Sequence, residues 1–288
     1  MEGAQLSKCV LYTWGANSYG QLGQGNTEDQ AEPRRADGGL QAEQIRCITG
    51  GGGHSAVITG DGRVLAFGSN AFGQLGVSPR ITHSAEPLHV KTLDEPVTSV
   101  AAGLRHALAS TVEGDVFFWG SNKHGQLVSE SLFLPLPVAL DRSPLRGERV
   151  TDVHSGWTHL VARTESGRVF TWGRANYGQL GQTNQSTEKE SDVSTSFGQS
   201  ISRPVEVKAL FGATQIACGS EHNLAVVGGR IYSWGWNEHG MCGDGSLCDI
   251  TQPQPIPRLR DTPALLIGCG SGHSIALCSL KSNEDSAS

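Results

Sequence analysis

A ten-residue motif, W-G-x-N-x-x-G-Q-L-G, recurs along the chain and constrains its fold more than any other feature of the sequence. Its five copies begin at Trp14, Phe67, Trp119, Trp172 and Trp234. Three of the four intervals between them are 52 or 53 residues long, and the fourth is 62. A fixed period near fifty residues is typical of proteins that repeat one supersecondary unit in space. The motif therefore predicts five such units.

A second motif, G-x-x-H followed by an apolar run, has the same period. Its histidines are His54, His106, His159, His222 and His273. Because one long interval occurs in each series, a single insertion explains both. The insertion covers about 183–203 and is rich in serine and threonine, so we expect a flexible loop there. We expect a disordered tail at 280–288.

Short strand patterns fill each repeat, and no stretch shows a sustained helical period. Between the second and third copies of the first motif, strands are predicted at 86–91, 97–102, 106–111 and 115–119. Four antiparallel strands per unit, a period near fifty and glycine-rich turns are typical of a propeller blade. The predicted fold class is therefore all-β, a β-propeller of five four-stranded blades.

The predicted propeller is a single domain that covers residues 1–279. Its repeats lie near 14–66, 67–118, 119–171, 172–233 and 234–279. The last repeat offers three strands, at 253–259, 264–268 and 273–279, and segment 9–14 offers the fourth. Pairing of this N-terminal strand with the last blade would close the ring and remove two exposed sheet edges. A ring left as an open arc is the alternative.

The charge and the cysteine content narrow the classes of partner and compartment. The net charge is −6 and no extended Lys/Arg cluster is present, so we expect neither nucleic acid nor an anionic membrane surface as a partner. The seven cysteines include no C-x-x-C pair, which favours a reducing compartment, the cytosol or the nucleus. No segment has the apolar length of a membrane span, and no signal-peptide pattern occurs. We expect a monomer without membrane insertion.

No group of residues forms a recognisable catalytic motif. The five motif histidines occupy equivalent positions in successive repeats, whereas a zinc site needs four nitrogen or sulfur ligands around one ion. We therefore expect each histidine to bond a neighbouring backbone group. The run Gly50–Gly53 resembles a phosphate-binding loop, but it lacks the following Lys and Ser or Thr and aligns with the G-x-x-H turn. No catalytic residue, metal or cofactor is predicted.

The paired motifs resemble the repeat of the regulator of chromosome condensation family, whose members form propellers. The resemblance covers residues 9–279, and three longer stretches that begin at Trp14, Ser155 and Tyr232 resemble a branch of exchange factors that regulates secretion. The resemblance implies exchange activity on a small GTPase and association with an exocyst component. The family propeller usually has seven blades against the five repeats here, so the chain resembles a shortened form.

Positions that differ between repeats are the candidates for partner binding, because residues that recur in every repeat maintain the fold. Trp157 and Trp236 are tryptophans in turns where no other repeat has one, and aromatic residues in turns suit interface anchors. Polar residues in corresponding turns are Arg105, Arg174, Glu221, Glu238 and His239. Ordinary surface variation is the alternative explanation for these residues.

Three functions are consistent with these observations. The first is an exchange factor whose face docks a small GTPase and distorts its phosphate and magnesium site. No exchange motif is matched residue by residue, so no exchange residue is assigned. The second is a non-catalytic adaptor for the exocyst and vesicle-tethering machinery. The third is an enzyme, which rests only on the analogy that propellers can host enzymes.

Overall fold

The computed structural model describes residues 10–36, 44–127, 131–182 and 200–279. The described residues form twenty strands, and their helical segments are short 3₁₀ turns such as Ser143–Leu145 and Lys208–Leu210. No helix in this part of the chain is long and apolar enough to cross a membrane. Two compact units are distinguished by their internal contacts. Unit 1 contains Met1–Lys123, Leu127–Arg142 and Arg149–Val153, and unit 2 contains His124–Gln126, Ser143–Glu148 and His154–Ser288.

Unit 1 contains the first ten strands. They are β1 (Tyr12–Gly15), β2 (Gln30–Arg35), β3 (Ile45–Gly50), β4 (His54–Thr59), β5 (Val64–Ser69), β6 (His83–His89), β7 (Val97–Ala102), β8 (His106–Thr111), β9 (Val116–Ser121) and β10 (Phe133–Ala139). Two antiparallel sheets have the orders β3-β4-β5-β6 and β7-β8-β9-β10, and β1 and β2 form a two-stranded sheet.

Unit 2 contains nine strands, and β11 (Val150–Ser155) lies where the chain passes from unit 1 to unit 2. The nine strands are β12 (His159–Thr164), β13 (Val169–Gly173), β14 (Ile201–Glu206), β15 (Ala213–Cys218), β16 (His222–Val227), β17 (Arg230–Gly235), β18 (Ile250–Pro255), β19 (Ala264–Cys269) and β20 (Ser274–Cys278). The sheet orders are β11-β12-β13-β14 and β15-β16-β17-β18, and β19 and β20 form a two-stranded sheet.

The hairpin between the second and third strands of each sheet turns on glycine. Gly62 and Gly167 both have φ of +84°, a conformation that side-chain-bearing residues rarely adopt. A Cβ atom at Gly62 would also lie 2.6 Å from Pro96 Cβ. This turn fixes one register in the four-stranded sheets, in which the motif histidine pairs with the glycine after the motif aromatic residue, as His54 does with Gly68.

The aromatic residue of the first motif connects neighbouring repeats. Trp119, Trp172 and Trp234 are fully buried. Each indole N–H donates a hydrogen bond of 2.9–3.0 Å to the main-chain oxygen of the motif glutamine one repeat earlier. The acceptors are Gln74, Gln126 and Gln179. Burial of a tryptophan together with its N–H partner joins hydrophobic and hydrogen-bond stabilisation in one contact. The motif therefore recurs because each repeat needs it to pack on the next.

The motif asparagine holds the long loop that follows the third strand. Asn70 Oδ1 accepts the Leu75 N–H at 3.0 Å, while its Nδ2 donates to the Ile81 carbonyl at 2.8 Å. The equivalent asparagines, Asn17, Asn122 and Asn237, make the same two kinds of bond. The fourth repeat has Ala175 at this position and also contains the insertion. The repeat that lacks the motif asparagine is therefore also the repeat with the longest loop after its third strand.

The predicted order of strands within a blade is wrong at one place. The strand expected at 86–91 corresponds to β6, which pairs with β5 and not with the strands that follow it. The strand expected at 253–259 likewise corresponds to β18, the fourth strand next to β17. Each of these strands returns to the hairpin that precedes it, through the loop held by the motif asparagine. The last part of the chain thus supplies two strands, not three.

The N-terminal strand does not form the predicted closing pair in the described residues. β1 pairs with β2, and β20 pairs with β19. The sheets are therefore not closed by hydrogen bonds, as the open alternative expected. The predicted flexible loop lies outside the described residues for 183–199, and its end at Ile201 begins β14. The tail at 280–288 lies outside them as well, and the single domain stays a prediction.

Candidate protein-binding surface

The motif histidines begin the second strand of each four-stranded sheet, and their contacts are those of structural residues. His54 and His222 are buried, and burial lowers the pKa of each to about 4. His54 Nε2 lies 3.2 Å from the His106 carbonyl oxygen, which confirms the expected bond to a neighbouring backbone group. His222 Nε2 instead contacts the Ser274 hydroxyl at 3.1 Å. In the part of the chain that the structure describes, no group of three or more metal-binding side chains occurs.

The glycine three residues before each histidine leaves room for the imidazole ring. A Cβ atom at Gly51 would lie 2.5 Å from His54 Cε1, and one at Gly156 would overlap His159 Cε1. A side chain at these positions would force the ring out of its site. The run Gly50–Gly53 is one example of this turn, and its resemblance to a phosphate loop follows from that packing.

Two turns of each repeat meet at the site where the predicted binding residues lie. The residue after Trp-Gly donates its backbone N–H to the residue before the motif histidine, as Arg174 does to Thr158 at 3.0 Å. Trp236 donates to Glu221 in the same way at 2.9 Å. Positions that vary between repeats are therefore neighbours in space although about fifteen residues separate them along the chain.

Glu221 is a buried carboxylate at the centre of a polar cluster, with 6% of its surface exposed. It accepts hydrogen bonds from Thr158 Oγ1 at 2.9 Å and from Gln179 Nε2 at 2.8 Å. Arg174 Nη1 and His159 Nδ1 each lie 3.8 Å from a carboxylate oxygen. Burial alone would raise the pKa of this carboxyl, but the nearby His159 imidazole and the hydrogen bonds from Thr158 and Gln179 hold the pKa below its usual value.

Aromatic side chains lie around this carboxylate. The Arg174 guanidinium carbon is 5.4 Å from the centre of the Tyr177 ring, and the Trp236 ring is 6.2 Å from Tyr177. His239 packs edge-on against Trp236 at 5.5 Å. Trp157 is 45% exposed. Its N–H donates to the carbonyl of Ser220, the residue before Glu221, at 2.8 Å. We call this group the Glu221 surface; its members are Trp157, Arg174, Tyr177, Trp236 and His239, together with the buried Glu221.

The structure brings together five of the seven predicted binding residues: Trp157, Arg174, Glu221, Trp236 and His239. Glu238 is an exposed residue of the same unit, next to His239 in the chain. Arg105 belongs to unit 1, where its guanidinium carbon lies 4.7 Å above the centre of the Phe72 ring. Binding by these residues stays a prediction, since their arrangement alone identifies no partner. The arrangement does distinguish Glu221 from the others, because it is buried and supports the surface from within.

Sequence reasoning missed Tyr177, a member of the Glu221 surface, and Thr158 and Gln179, which donate to its carboxylate. Tyr177 occupies a position that holds Tyr19 and Phe72 in other repeats, so an aromatic side chain there does not stand out from the repeat. Gln179 is shared by most repeats, yet its side chain also donates to Glu221. The available signal was the acidic residue before His222, since a carboxylate inside a repeat motif requires donors nearby.

The chain belongs to the RCC1-like domain family, because residues 4–276 match the model of that family. Within this family of β-propellers, it is similar to the secretion-regulating guanine nucleotide exchange factor. It is 39% identical to the protein from Mus musculus, with 94% of this chain and 84% of the relative covered. The protein from Bos taurus is 38% identical, with 94% and 83% covered.

Solved structures confirm the propeller fold. The crystal structure of human WBSCR16 is 26% identical, with a TM-score of 0.77 over 94% of this chain and 68% of that chain. Yeast RCC1 (Prp20), solved with Kap60, has a TM-score of 0.80 at 22% identity, over 96% of this chain and 64% of that chain. Both results agree with the predicted fold class.

The alignment with the mouse relative leaves a length close to two repeats without a counterpart in this chain. The alignment with the mouse protein spans 389 positions, which exceeds the 288 residues of this chain by 101. At least that many positions of the alignment have no counterpart here. The repeat period of 52 or 53 residues makes the difference about two repeats, in agreement with the predicted shortened form.

Proposed function

We propose that the chain is a regulatory protein-binding propeller that acts as a guanine nucleotide exchange factor for a small GTPase in the regulation of secretion. The observation that carries the proposal is the Glu221 surface, a group of exposed and half-buried aromatic and charged side chains held by a buried carboxylate. The names of the mouse and bovine relatives support the type of activity.

The surface has the composition of an interface centre. Tryptophan, tyrosine and arginine are the residues that contribute most to protein–protein affinity. Arg174 is held between Glu221 and the Tyr177 ring, so less conformational entropy is lost when a partner covers it. Exchange by such a surface needs no covalent chemistry. The docked GTPase would be distorted at its phosphate and magnesium site, and the nucleotide would then dissociate.

A second candidate function is a non-catalytic adaptor for an exocyst component. The shortened length favours it, since about two repeats present in the relatives have no counterpart in this chain. Part of any exchange surface would be lost with them, while the Glu221 surface is retained. Both functions place the protein in the cytosol or the nucleus, and none of the six cysteines in the described residues is disulfide-bonded.

The proposal is tested by affinity capture from cytosol, with and without EDTA to strip bound nucleotide. An exchange factor holds the nucleotide-free GTPase most tightly, so a GTPase enriched only after stripping is the expected result. Release of a fluorescent nucleotide from that GTPase then measures exchange. Recovery of exocyst components in both samples without any GTPase would support the adaptor function.

Two variants test whether the Glu221 surface is the binding site. Trp157→Ala and Trp236→Ala should each weaken capture of the partner at least tenfold, since interface tryptophans commonly contribute about 2 kcal/mol or more. Phe211→Ala is the matched control, because Phe211 is also an exposed aromatic residue of unit 2 but lies outside the surface. Equal loss in all three variants, or unfolding of the tryptophan variants in circular dichroism, would refute this location.

A further inference from the structure

The hairpin that joins β12 and β13 has the same turn as the hairpin that joins β4 and β5, but the residue at its tip differs in charge. The two turns read T-G-D-G-R at 59–63 and T-E-S-G-R at 164–168. In both turns the threonine N–H donates to the arginine carbonyl at 2.9 Å, and the last glycine donates to the threonine carbonyl at 2.9–3.0 Å. Side chains at equivalent positions of the two turns therefore leave the backbone in the same direction.

In the β4–β5 turn the residue at the tip is an anion that two side chains bind. Thr59 Oγ1 donates to one carboxylate oxygen of Asp61, and Arg63 Nε donates to the other at 2.8 Å. The Thr59 hydrogen bond, with the charge of Arg63, holds the pKa of this carboxyl below its usual value. Glu113, at the tip of the β8–β9 hairpin, likewise lies 3.5 Å from Arg149. The tip of this hairpin is thus a position where the fold accommodates a negative charge.

Ser166 occupies this position without a charge, although the residues that would bind an anion are present. Its hydroxyl lies 3.2 Å from Thr164 Oγ1, the neighbour that the carboxylate has in the β4–β5 turn. The Nε atom of Arg168 is buried and has no hydrogen-bond partner among the described residues, since Glu148 lies 3.1 Å away without the alignment of a hydrogen bond. A buried N–H donor without a partner is rare and requires an explanation.

The Ser166 hydroxyl can be reached and modified. Ser166 and the preceding Glu165 are both exposed at the tip of the hairpin, and the hydroxyl donates to Glu148 Oε2 at 2.7 Å. A phosphoryl group on a serine oxygen adds a charge of about −1.5 to −2 and three strong acceptor oxygens. Guanidinium groups bind phosphate through charge-assisted hydrogen bonds, which supplies the partner that the Arg168 Nε–H lacks.

We propose that Ser166 is a phosphorylation site for a protein serine kinase and that Thr164 and Arg168 bind the phosphate. In the transfer, the Ser166 hydroxyl oxygen forms a bond to the γ-phosphorus of ATP, and the bond from that phosphorus to the β–γ bridging oxygen breaks. ADP leaves, and the hydroxyl proton passes to the solvent. Arg168 Nη1 keeps its contact with Glu206 at 3.1 Å, because a guanidinium group has five N–H donors. Its Nε–H turns to the phosphate.

Phosphorylation changes the contacts of Glu148. A hydroxyl that donates to this carboxylate is replaced by a dianion that repels it, and the Arg168 Nε–H turns away from it. Glu148 ends the segment Ser143–Glu148 of unit 2. Within this segment Arg146 has φ of +57°, a conformation that residues other than glycine rarely adopt. Phosphorylation therefore removes contacts from a segment whose backbone is already strained.

Mass spectrometry tests whether the site is used. The full-length chain, incubated with cytosolic extract and ATP, should carry one phosphoryl group on the tryptic peptide 164–168. Fragmentation of the peptide should place the group on Ser166, because Thr164 is buried. Ser166→Ala is the control and should lose this signal. A wild-type peptide that stays unmodified, or a phosphoryl group that Ser166→Ala retains, would overturn the proposal.

Phosphorus NMR of the full chain with phosphoserine at position 166 tests what binds the phosphate. The second pKa of a phosphoserine is about 6, and Arg168 should lower it by about half a unit or more. Arg168→Gln should restore a pKa of about 6. Arg163→Gln is the matched control and should leave the lowered pKa in place, because the Arg163 side chain donates to the Ala213 carbonyl at 3.3 Å. A pKa that Arg168→Gln leaves unchanged would contradict binding by this arginine.

Limited digestion with trypsin measures the release of the segment Ser143–Glu148. Cleavage after Arg146 should be about fivefold faster or more in the phosphorylated chain, because proteolysis follows the population of the open segment. Ser166→Asn keeps a neutral polar side chain at the tip and should be cleaved at nearly the wild-type rate. Equal rates for the phosphorylated and the unmodified chain would show that Glu148 keeps its contacts, and would refute the proposed effect.

Discussion

Arg105 and Glu221 occupy the same position in two different repeats, directly before the motif histidine, and their environments differ completely. Arg105 in unit 1 is exposed and lies over the Phe72 ring. Glu221 in unit 2 is buried and contacts four polar side chains. The backbone is alike, since the carbonyl of each residue accepts the N–H of the residue that follows the motif Trp-Gly pair, at 2.8–2.9 Å.

The difference shows that the repeat fixes the backbone position of a residue, whereas the neighbouring side chains determine its burial and its contacts. Thr158 and Gln179 supply donors for a carboxylate, and without them Glu221 could not be buried. The exposed Arg105 side chain contacts the Phe72 ring. Unit 2 therefore holds a preorganised surface, whereas the corresponding position in unit 1 is an ordinary exposed cation.

The largest expected effect comes from removing the buried carboxylate. Glu221→Leu should lower the free energy of unfolding by about 3 kcal/mol, because Thr158 and Gln179 lose their acceptor and the Arg174 charge loses its partner. Arg105→Leu is the matched change at the same position and should cost less than about 1 kcal/mol. Urea denaturation of both variants measures the difference, and equal losses would contradict the comparison.

Lowering the pH should first destabilise both units, because each contains a buried histidine. At still lower pH it should destabilise unit 2 further through Glu221. His54 in unit 1 and His222 in unit 2 have folded pKa values of about 4 against an ordinary 6.5. The unfolded chain binds more protons between these values, so stability falls as the pH falls from 6.5 to 4, by roughly 3 kcal/mol for each histidine.

Glu221 adds an effect of its own at lower pH. Its folded pKa is depressed, so its contribution is complete above the ordinary value of 4.5 and is lost as the pH falls through the folded pKa. Urea denaturation at several pH values, with Glu221→Gln as the control, separates this loss from that of the histidines. A pH dependence below 4.5 that Glu221→Gln leaves unchanged would show that another group is responsible.

The smallest effect distinguishes the two arginines. Arg174→Ala should cost about 1 kcal/mol, since the guanidinium contacts both Glu221 and the Tyr177 ring and is about one-third exposed. Arg105→Ala should cost about 0.5 kcal/mol, because only the Phe72 ring is lost. Thermal unfolding of the two variants measures the difference between their losses of stability. A larger loss for Arg105 would mean that unit 1 holds its cation more firmly than its exposure indicates.

Much of the fold could be predicted because the motif residues act between adjacent repeats. Trp119 bonds Gln74 of the preceding repeat, and His54 bonds His106 of the next repeat. Partners that lie about one repeat apart along the chain can be recognised from a periodic sequence. The order of strands could not be predicted in the same way. A strand such as 86–91 lies between two hairpins along the chain, and only the loop held by Asn70 decides that it pairs with the earlier one.

The candidate site was predictable in part for a similar reason. Variation between repeats indicated Trp236, Arg174 and Glu221, and the two turns that meet in every repeat bring them together. The burial of Glu221 could not be read from the sequence, because it depends on Thr158 and Gln179 from neighbouring turns. Gln179 did not indicate the site, because a residue at this position is already explained by the fold: its carbonyl accepts the Trp234 indole N–H. Its side chain also donates to Glu221.

The fourth strand of every four-stranded sheet contains proline, as does β2, and this has a consequence for the protein at high concentration. The prolines are Pro33, Pro87, Pro135, Pro137, Pro204, Pro253 and Pro255. An unpaired strand edge is a template for aggregation, and a residue without an N–H interrupts the ladder that a neighbouring molecule would extend. These edges should therefore resist fibre-like stacking, so that the molecules stay dispersed in crowded solution although every repeat ends in an open strand.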